Sequence, residues 1–422
     1  MTEARPRGIR RWAIDISPLR VPPYFRLWLG TGVSMYGFQL TAVAVPVQVF
    51  DISRSSFWVG MVGLVGLIPL VFFGLWGGAV ADAVDRRRLL LVSSAAMFVI
   101  TVALFAQAAF GLRSLALILA LVAMQAAAFA VSSPTRNAII PRLLERELVP
   151  AANTLSFTMS NVGMVLGPLL AGVVIARGGG FPVAYAIDAV LFTVALYAAL
   201  RLPSLPPLAA ETSRPGLRSV VDGLRFIATR PVLLMSFAVD IVAMVFAMPR
   251  ALFPEVAETR FGGGAAVGWL FAAIAIGGVL GGLSSGWIGR VRLQGVALTA
   301  AVVGWGLAVA LSGLAGSLWL AVMLLAVAGA ADLVSAVFRQ TILQVYAPDE
   351  MRGRLQGVFI VVVAGGPRLG DLRAGATAAV AGATFSWVAG GLACAVIVVL
   401  IALAVPTFLR YDAGRRLEPA ST

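Results

Sequence analysis

The sequence predicts an all-α integral membrane protein of twelve transmembrane helices in two six-helix parallel repeats. Two observations lead to this class. Of the 422 residues 60% are hydrophobic and only 12% are charged, and the mean hydropathy is +0.95. Soluble domains carry about 25% charged residues, so lipid must cover most of this surface. The apolar residues also come in runs of about 20, the length of helix that crosses a bilayer.

Short polar loops separate most of these runs, and one longer proline-rich stretch divides the chain near its middle. The predicted spans cover 25–50, 57–81, 89–110, 115–133, 154–175, 183–200, 231–250, 265–288, 295–313, 317–338, 356–379 and 384–406. We therefore expect an interfacial N-terminal segment, a first bundle, a cytoplasmic linker, a second bundle and a cytoplasmic tail, at 1–23, 24–200, 201–230, 231–406 and 407–422.

The basic residues predict the orientation of these spans. All 32 are arginines, and the chain has neither lysine nor histidine. If the N-terminus is cytoplasmic, 25 arginines fall at cytoplasmic positions and 5 at external ones. Positive residues concentrate in cytoplasmic loops of membrane proteins. Both termini are therefore expected in the cytoplasm of a bacterial cell, with the chain passing many times through the plasma membrane.

The second half of the chain repeats features of the first. The glycine pair and arginine of "GGAVADAVDR" recur in "GGLSSGWIGR", and residues that follow Arg136 recur after Arg339. The offset from Gly77 to Gly281 is nearly that from Arg136 to Arg339. Because each half has an even number of spans, both repeats enter the membrane in the same sense. Parallel repeats about an axis along the membrane normal are typical of one large class of secondary transporters.

The loop after span 2 carries the first family resemblance. Gly78, Asp82, Arg86 and Arg87 lie in "GGAVADAVDRRR", which resembles the cytoplasmic signature of the major facilitator superfamily. A glycine allows two helices to approach closely, and an acid at a helix end pairs with arginine or caps a neighbouring helix. The resemblance implies a cytoplasmic gate, to which the repeated Arg136 and Arg339 are also assigned. The alternative is charge that only sets topology.

Span 5 carries a second resemblance. Its sequence "NVGMVLGPLLAG" resembles the antiporter signature of exporters in the superfamily. Gly163, Gly167 and Gly172 would give the helix a flat face, and Pro168 removes a backbone hydrogen bond and bends it. Such a helix suits the interface between two halves that rock against each other.

The resemblance extends along nearly the whole chain. "AVPVQVF", "RLPSLPPL", "GLRFIATRPVL", "GWLFAAIAIGGVLGG" and "LQVYAPDEMRGRLQG" are similar, in the same order, to bacterial enterobactin exporters and related macrolide- and drug-efflux proteins. This implies a proton-coupled exporter of a small amphipathic molecule such as a siderophore, a macrolide or a drug. An uptake symporter on the same fold and a membrane sensor or scaffold that does not transport remain alternatives.

Four carboxylates fall inside predicted spans, where ionisable side chains are costly and mark candidate functional sites. With no histidine or lysine in the chain, they are the candidates for proton coupling: Asp188 in span 6, Asp240 in span 7, Asp332 in span 10 and Asp371 in span 11. Asp240 is the first candidate, because no arginine lies within two helical turns of it in the sequence. A hydrogen-bonded acid that holds a neighbouring helix is the alternative.

Arginines near these acids have two interpretations each. Arg368 and Asp371 lie three residues apart on one helix face, which favours a local ion pair. Arg368 and Arg373 could instead contact an anionic substrate. Arg250 closes span 7, either as an outer gate residue or as an interfacial one whose head reaches water.

The family resemblance implies a substrate cavity lined by spans 1, 4, 7 and 10. Span 1 offers Tyr36, Gln39 and Gln48, and span 4 offers Gln125. Tyr36, Gln39, Gln125 and Arg250 are therefore the cavity candidates. The glutamines could equally form hydrogen bonds between helices.

Other classes of function are disfavoured. A phosphate-binding loop needs a lysine, which this chain lacks. Without histidine and with one cysteine, Cys394, common acid–base and metal sites are missing. We therefore expect no enzyme, no cofactor, no metal and no nucleic acid partner. The expected partners are membrane lipid, protons and a small-molecule substrate, with the chain acting as a monomer.

Overall fold

The computed structural model describes residues 15–206, 217–346 and 351–411, and these fold into fifteen α-helices. In chain order they are α1 (Pro22–Ser53), α2 (Ser56–Ala83), α3 (Arg86–Ala109), α4 (Leu115–Leu143), α5 (Val149–Val174), α6 (Gly180–Leu200), α7 (Leu217–Ala228), α8 (Pro231–Phe246), α9 (Phe253–Arg260), α10 (Ala265–Leu283), α11 (Gln294–Gly313), α12 (Leu318–Tyr346), α13 (Arg352–Ala381), α14 (Ala383–Ala404) and α15 (Pro406–Leu409).

The expected all-α membrane architecture is confirmed. Eleven helical segments within the described residues are long and apolar enough to cross a membrane. The remaining long helix, α13, has 30 residues, but Arg368, Asp371 and Arg373 interrupt its apolar run. Together α1–α6, α8 and α10–α14 account for the twelve expected spans. Helices satisfy their own backbone hydrogen bonds, which is what a spanning segment in lipid requires.

Prolines inside several helices do not interrupt them. Pro46, Pro69, Pro168 and Pro367 all lie within continuous helices. A proline removes one backbone hydrogen bond and usually kinks the helix. Close packing against neighbouring helices makes this tolerable in membrane bundles.

Three features differ from a bundle with simple loops. The helix α7 lies in the linker and packs against α8 and α13. The short helix α9 occupies the region after span 7, where the sequence predicts a loop. Its residues Val256 and Ala257 are buried, which explains why this segment folds instead of remaining in solvent. Between α5 and α6, residues Ile175–Gly179 form a turn of π-helix.

Two helix pairs make the main contacts between the halves: α2 with α13, and α5 with α10. Both pairs approach through glycines at the end of the bundle that carries few arginines. A Cβ atom on Gly60 would lie 2.5 Å from the carbonyl oxygen of Asp371, and one on Gly268 would lie 2.5 Å from that of Pro168. Small residues of this kind bring helix backbones together in membrane proteins. We call this the arginine-poor end, and the opposite end the arginine-rich end.

Candidate functional site: a central cavity and its gates

A cavity of about 900 Å³ lies between the two halves of the bundle. It is lined by residues of α1, α2, α4 and α5 from the first half, and by residues of α10, α13 and the 3₁₀ turn Arg250–Leu252 from the second. Its volume is within the range of cavities that enclose drug-sized ligands. The cavity is therefore the candidate substrate site.

The cavity is closed at the arginine-poor end by contacts that cross from one half to the other. Arg54, in the loop between α1 and α2, donates to the carboxylate of Glu258 on α9 at 2.5 Å. Next to it, the hydroxyl of Ser56 donates to Glu255. Arg54 also pairs with Asp51 at 3.1 Å. These contacts lie directly over the α2–α13 seam, so they act together with it as a seal.

Arg54 has an unusual backbone conformation at this seal. Its φ is +52°, and it is the one non-glycine residue with positive φ in the described chain. The left-handed region costs an L-residue roughly 1 kcal/mol or more. The cross-half pair with Glu258 is made from this turn, which ends α1 and directs the side chain toward α9.

Toward the arginine-rich end, the cavity walls separate. The lining continues along α4 through Ser133, Pro134 and Asn137, close to the end of that helix. On α2 it reaches Gly74, where a Cβ atom would meet nothing within 4 Å. Among the described residues, the halves are thus in contact at one end, and the cavity walls are apart toward the other. This is one of the two states expected of an alternating-access transporter.

Two of the predicted cavity glutamines lie in the cavity wall. Gln39 and Gln125 both line it, and within the described chain neither side-chain amide has a hydrogen-bond partner. Phe38 and Phe129 stack beside them, with ring centroids 5.5 Å apart and an interplanar angle of 13°. Tyr36 is not among the described residues that line the cavity. The wall is thus largely apolar, with a few polar groups available to a ligand.

Gln48, the other glutamine of span 1, belongs to a buried network instead. Its amide exchanges hydrogen bonds with Gln107 on α3, at 3.2 and 3.0 Å. The Tyr185 hydroxyl donates to the same Gln48 oxygen at 2.7 Å. Gln48 therefore forms hydrogen bonds between helices, as the alternative interpretation of the sequence predicts.

Span 7 reaches the cavity through Arg250 at its end, whereas no residue of α8 or α12 is among the described lining, so span 10 does not line it as expected. The reason is an internal ion pair between these helices. Arg339 on α12 forms a salt bridge with Asp240 on α8, and Asp332 approaches its other nitrogen at 3.7 Å. The side chains of Arg339 and Asp240 are 7% and 2% exposed. The polar groups of α8 and α12 are thus directed at each other.

Sequence reasoning missed the partner of Asp240. Residues within two helical turns of Asp240 belong to its own helix, whereas Arg339 reaches it from α12. Of the four candidate acids, Asp188 is the one with no arginine in electrostatic range among the described residues: Asp240 and Asp332 contact Arg339, and Asp371 is within range of Arg250. Asp188 is 1% exposed, accepts a hydrogen bond from Thr41 at 2.5 Å, and faces Thr101. Thr41 itself lines the cavity, so one hydroxyl separates this carboxylate from the cavity.

The expected local ion pair around Asp371 is absent from the described residues. Asp371 accepts from the backbone N–H of Ala251 at 3.2 Å. Arg368 donates to the carbonyl of Gly66 at 3.5 Å. Arg373 donates to the carbonyls of Val245, Phe246 and Ser386 at 3.1, 2.5 and 3.3 Å. Arg373 therefore ties α13 to the end of α8, whereas Arg368 and Asp371 line the cavity.

The structure describes the side chains of only some of the predicted gate residues at the arginine-rich end. Gly78 and Asp82 belong to 75–83, whose side chains lie outside the described residues. Arg86 donates to the carbonyl of Ala138 at 3.1 Å, and Arg87 to that of Leu200 at 2.8 Å. Both contacts join helices of the first half.

Arg136 and Arg339 share one local contact in the two halves, although only Arg339 has a salt bridge among the described residues. Arg136 donates to Ser132 at 3.3 Å, and Arg339 donates to the carbonyl of Ser335 at 3.4 Å. Each arginine therefore bonds to a serine one helical turn earlier. Their roles in gating stay predictions.

Asp85 has a role that the sequence did not suggest. It caps α3 by accepting from the backbone N–H of Arg87 at 2.8 Å. It also accepts from the Ser204 hydroxyl at 2.6 Å and from the N–H of Leu205 at the start of the linker. The Ser204 hydrogen bond and these backbone amides hold the pKa of the Asp85 carboxyl below its usual value. The loop after α2 thus anchors the linker between the halves.

The glycine face of α5 packs against two different helices. A Cβ atom on Gly163 would lie 3.1 Å from Met35 of α1, and one on Gly167 would lie 3.0 Å from a side-chain atom of Gln39. Further along, a Cβ atom on Gly172 would lie 2.9 Å from Gly268 of α10. Pro168 lines the cavity between these contacts. The face therefore joins α5 to its own half and, at the arginine-poor end, to the other half.

Twelve spans in two halves around a cavity closed at one end define a secondary transporter of the major facilitator type. The family model described as "Transmembrane secretion effector" matches residues 13–418, so the chain belongs to that family of transporters. The family is one of transporters and not of enzymes.

Proteins of known name support the same class. The chain is 29% identical over 417 residues to "Enterobactin exporter EntS" of Escherichia coli strain SMS-3-5, covering 97% of this chain and 98% of the exporter. It is also 29% identical over 406 residues to the protein of that name from Shigella boydii, covering 95% and 96% of the two chains.

Solved structures share the fold at low sequence identity. The nucleoside transporter NupG matches with a TM-score of 0.73 at 16% identity, covering 92% of this chain and all of that one. A bacterial homologue of the lysosomal transporter Spinster matches with a TM-score of 0.69 at 18% identity, covering 94% and 97%. These likenesses show the fold alone.

Proposed function

We propose that this chain is a proton-coupled exporter of small amphipathic molecules, such as siderophores, macrolides or drugs, that works by alternating access. The main observation in support is the central cavity, whose arginine-poor end is closed by contacts between the two halves. Two relatives that match nearly the whole chain are named as exporters of a siderophore, which supports outward transport. An uptake symporter would use the same fold in the reverse direction.

The arginine-rich end faces the cytoplasm in this proposal. The positive-inside rule supports this, with 25 arginines at one end and 5 at the other. The chain is then a multi-pass protein of the bacterial plasma membrane with both termini inside. In this orientation the described state faces inward, so a substrate enters the cavity from the cytoplasm and leaves after the seal at Arg54 and Glu258 opens.

Asp188 becomes the first candidate for the proton site, ahead of Asp240, Asp332 and Asp371. A proton carrier must be able to change charge during the cycle, and a carboxylate in an ion pair resists protonation. Asp240 is held by Arg339, whereas Asp188 accepts a hydrogen bond from the neutral hydroxyl of Thr41 and faces that of Thr101. Thr41 links Asp188 to the cavity wall, so a proton has a short path between them.

Transport into inverted membrane vesicles tests this proposal. Vesicles that contain wild type, Asp188→Asn or no transporter (empty vector) are energised so that protons accumulate in the vesicle lumen. Labelled siderophore and macrolide candidates are then added with and without an uncoupler. We expect uncoupler-sensitive accumulation with wild type and its loss with Asp188→Asn at equal expression. Accumulation only in right-side-out vesicles would instead favour the uptake symporter.

Single-cysteine labelling tests the orientation independently. The native Cys394 is fully buried, so an introduced cysteine can be labelled selectively. Arg177 lies at the arginine-poor end and Arg290 at the arginine-rich end, and both are exposed. With an impermeant maleimide on intact spheroplasts, we expect labelling of Arg177→Cys and protection of Arg290→Cys. The reverse pattern would refute the proposed orientation.

A further inference from the structure

We propose that Arg250 binds an anionic group of the transported molecule, so that the cavity selects organic anions with an apolar, aromatic body. This inference rests on the proposed transport function, because it assigns the substrate class of the same cavity. It is carried by the environment of Arg250 at the closed end, by the other arginines of the bundle interior and by the cavity wall.

Arg250 is the exposed residue of a buried stretch, and it lines the cavity. It follows α8 in a short 3₁₀ turn, and its neighbours Ala247, Met248, Ala251 and Leu252 are between 0% and 4% exposed. Arg250 itself is exposed and lines the cavity. The guanidinium therefore sits at the closed end of the substrate site.

Arg250 also has no hydrogen bond or ion pair within the described part of the chain, unlike the other interior arginines. Arg339 is paired with Asp240, and Arg373 donates to three backbone carbonyls. Arg368 donates to one carbonyl, at 3.5 Å. A charge inside a membrane protein is costly and usually has a partner. For Arg250 the cavity is the place where a partner can bind.

The charge of the cavity wall favours an anion as that partner. Its described lining contains Arg250, Arg368 and Asp371, and no other ionisable side chain. Asp371 and Asp332 are both within electrostatic range of Arg250. Asp371 accepts its hydrogen bond from the backbone of Ala251, and Asp332, which is not in the described lining, lies 3.7 Å from Arg339. Within the described lining, the two arginines outnumber the one acid, which favours an anion at the closed end. Guanidinium groups bind carboxylates and related anions with two parallel hydrogen bonds.

The rest of the wall defines the body of the ligand. Most lining residues are apolar, and the stacked pair of Phe38 and Phe129 offers aromatic surface. Aromatic rings pack favourably against other rings in offset or edge-on arrangements. Gln39 and Gln125 add neutral hydrogen-bonding groups. A ligand with one acidic group and an aromatic body matches this distribution of charge and apolar surface.

A matched pair of probes tests the assignment without requiring transport. Binding of 2-naphthoate and of its neutral isostere 2-naphthamide is measured by equilibrium dialysis with the purified full-length chain in detergent. The variants are Arg250→Gln, Arg250→Lys and Arg177→Gln, the last a control that removes one exposed positive charge far from the cavity. Size-exclusion chromatography and thermal unfolding verify that each variant is folded.

We expect wild type and Arg177→Gln to bind the anionic probe about ten- to a hundredfold more tightly than the neutral one, as a hydrogen bond to a charged group would give. Arg250→Gln should lose this preference, and Arg250→Lys should retain part of it. An equal preference in Arg250→Gln and wild type would overturn the assignment, and so would no preference in wild type. If the preference depends on Arg250 but no substrate is transported in vesicles, the exporter proposal fails and the anion site stands.

Discussion

Arg339 on α12 forms a buried salt bridge with Asp240 on α8. Both helices belong to the second half of the bundle, so the pair holds that half together and does not bridge the two halves. Its burial makes it a structural element: two charges that neutralise each other can stay in the interior, whereas either one alone cannot.

Breaking this pair should destabilise the protein. Removing one partner of a buried ion pair typically costs about 3–5 kcal/mol, because the other charge is left uncompensated. We expect Asp240→Asn and Arg339→Gln each to lower the thermal unfolding midpoint of the purified protein. Asp240→Asn should be the milder variant, since Asp332 lies 3.7 Å from Arg339 and remains as a partner. The double variant should lose less stability than the sum of the losses in the two single variants. Additive effects would show that the pair contributes no coupling.

The Arg54–Glu258 contact should bias the equilibrium between the two states. Both side chains are more than half exposed, so the pair is worth about 1 kcal/mol or less, or up to about fivefold in population. Arg54→Gly removes the side chain without strain, because glycine accepts the positive φ. We expect this variant to increase labelling of a cavity cysteine, Gln125→Cys, from the arginine-poor side. Exchanging the charges, Arg54→Glu with Glu258→Arg, should recover part of the seal. Unchanged labelling in Arg54→Gly would mean that the glycine seams alone close this end.

Two glycines on α2 provide a matched comparison for the seam. A Cβ atom on Gly60 would lie within 3.0 Å of backbone atoms of α13, which cannot move aside easily. At Gly74 it would meet nothing within 4 Å. We expect Gly60→Ala to open the arginine-poor end and reduce transport, and Gly74→Ala to leave this state unaffected. The readout is again labelling of the cavity cysteine. Similar behaviour of the two variants would contradict the packing shown at the α2–α13 seam.

The anchor at Asp85 should depend on pH. The hydrogen bond from Ser204 and the backbone amides lower the pKa of this carboxyl in the folded protein. A lowered pKa means that its stabilising contribution is complete above the unfolded value of about 3.9 and is lost as the pH falls through the folded value. We expect Asp85→Asn, which retains a cap, to be less stable than wild type at pH 7, and the difference to shrink as the pH falls below about 3.9 and through the lowered folded pKa. Asp85→Ala should lose about 1 kcal/mol more through the missing cap. A difference between wild type and Asp85→Asn that is independent of pH would refute the charge contribution.

Much of the fold follows from the hydropathy of the sequence, because each span must present about 20 apolar residues to lipid. Even α13, with three charges near its centre, was recognised from the apolar residues around them. The helix α9 was missed because it is short and carries Glu255 and Glu258, whose partners at the seal lie in the other half. A single sequence contains no signal for such a contact.

The site was predicted less completely. Gln39, Gln125 and Arg250 were placed in the cavity, because polar groups within spans are rare and stand out. The ranking of the acids could not be predicted, since the pairing of Asp240 with Arg339 depends on how α8 packs against α12. Likewise, the neutral surroundings of Asp188 depend on Thr41 and Thr101 from two other helices.

Locking the seal tests the central claim of alternating access most directly. Ser56 and Glu255 are in contact across the two halves, so cysteines at both positions can be joined by a short bis-methanethiosulfonate cross-linker. Asp51→Cys with Arg113→Cys provides the control, because that contact, at 3.2 Å, lies within the first half. After reconstitution, we predict that cross-linking the first pair abolishes transport, that reduction restores it, and that the control pair transports in both forms. Transport at the wild-type rate with the Ser56–Glu255 lock in place would contradict the account.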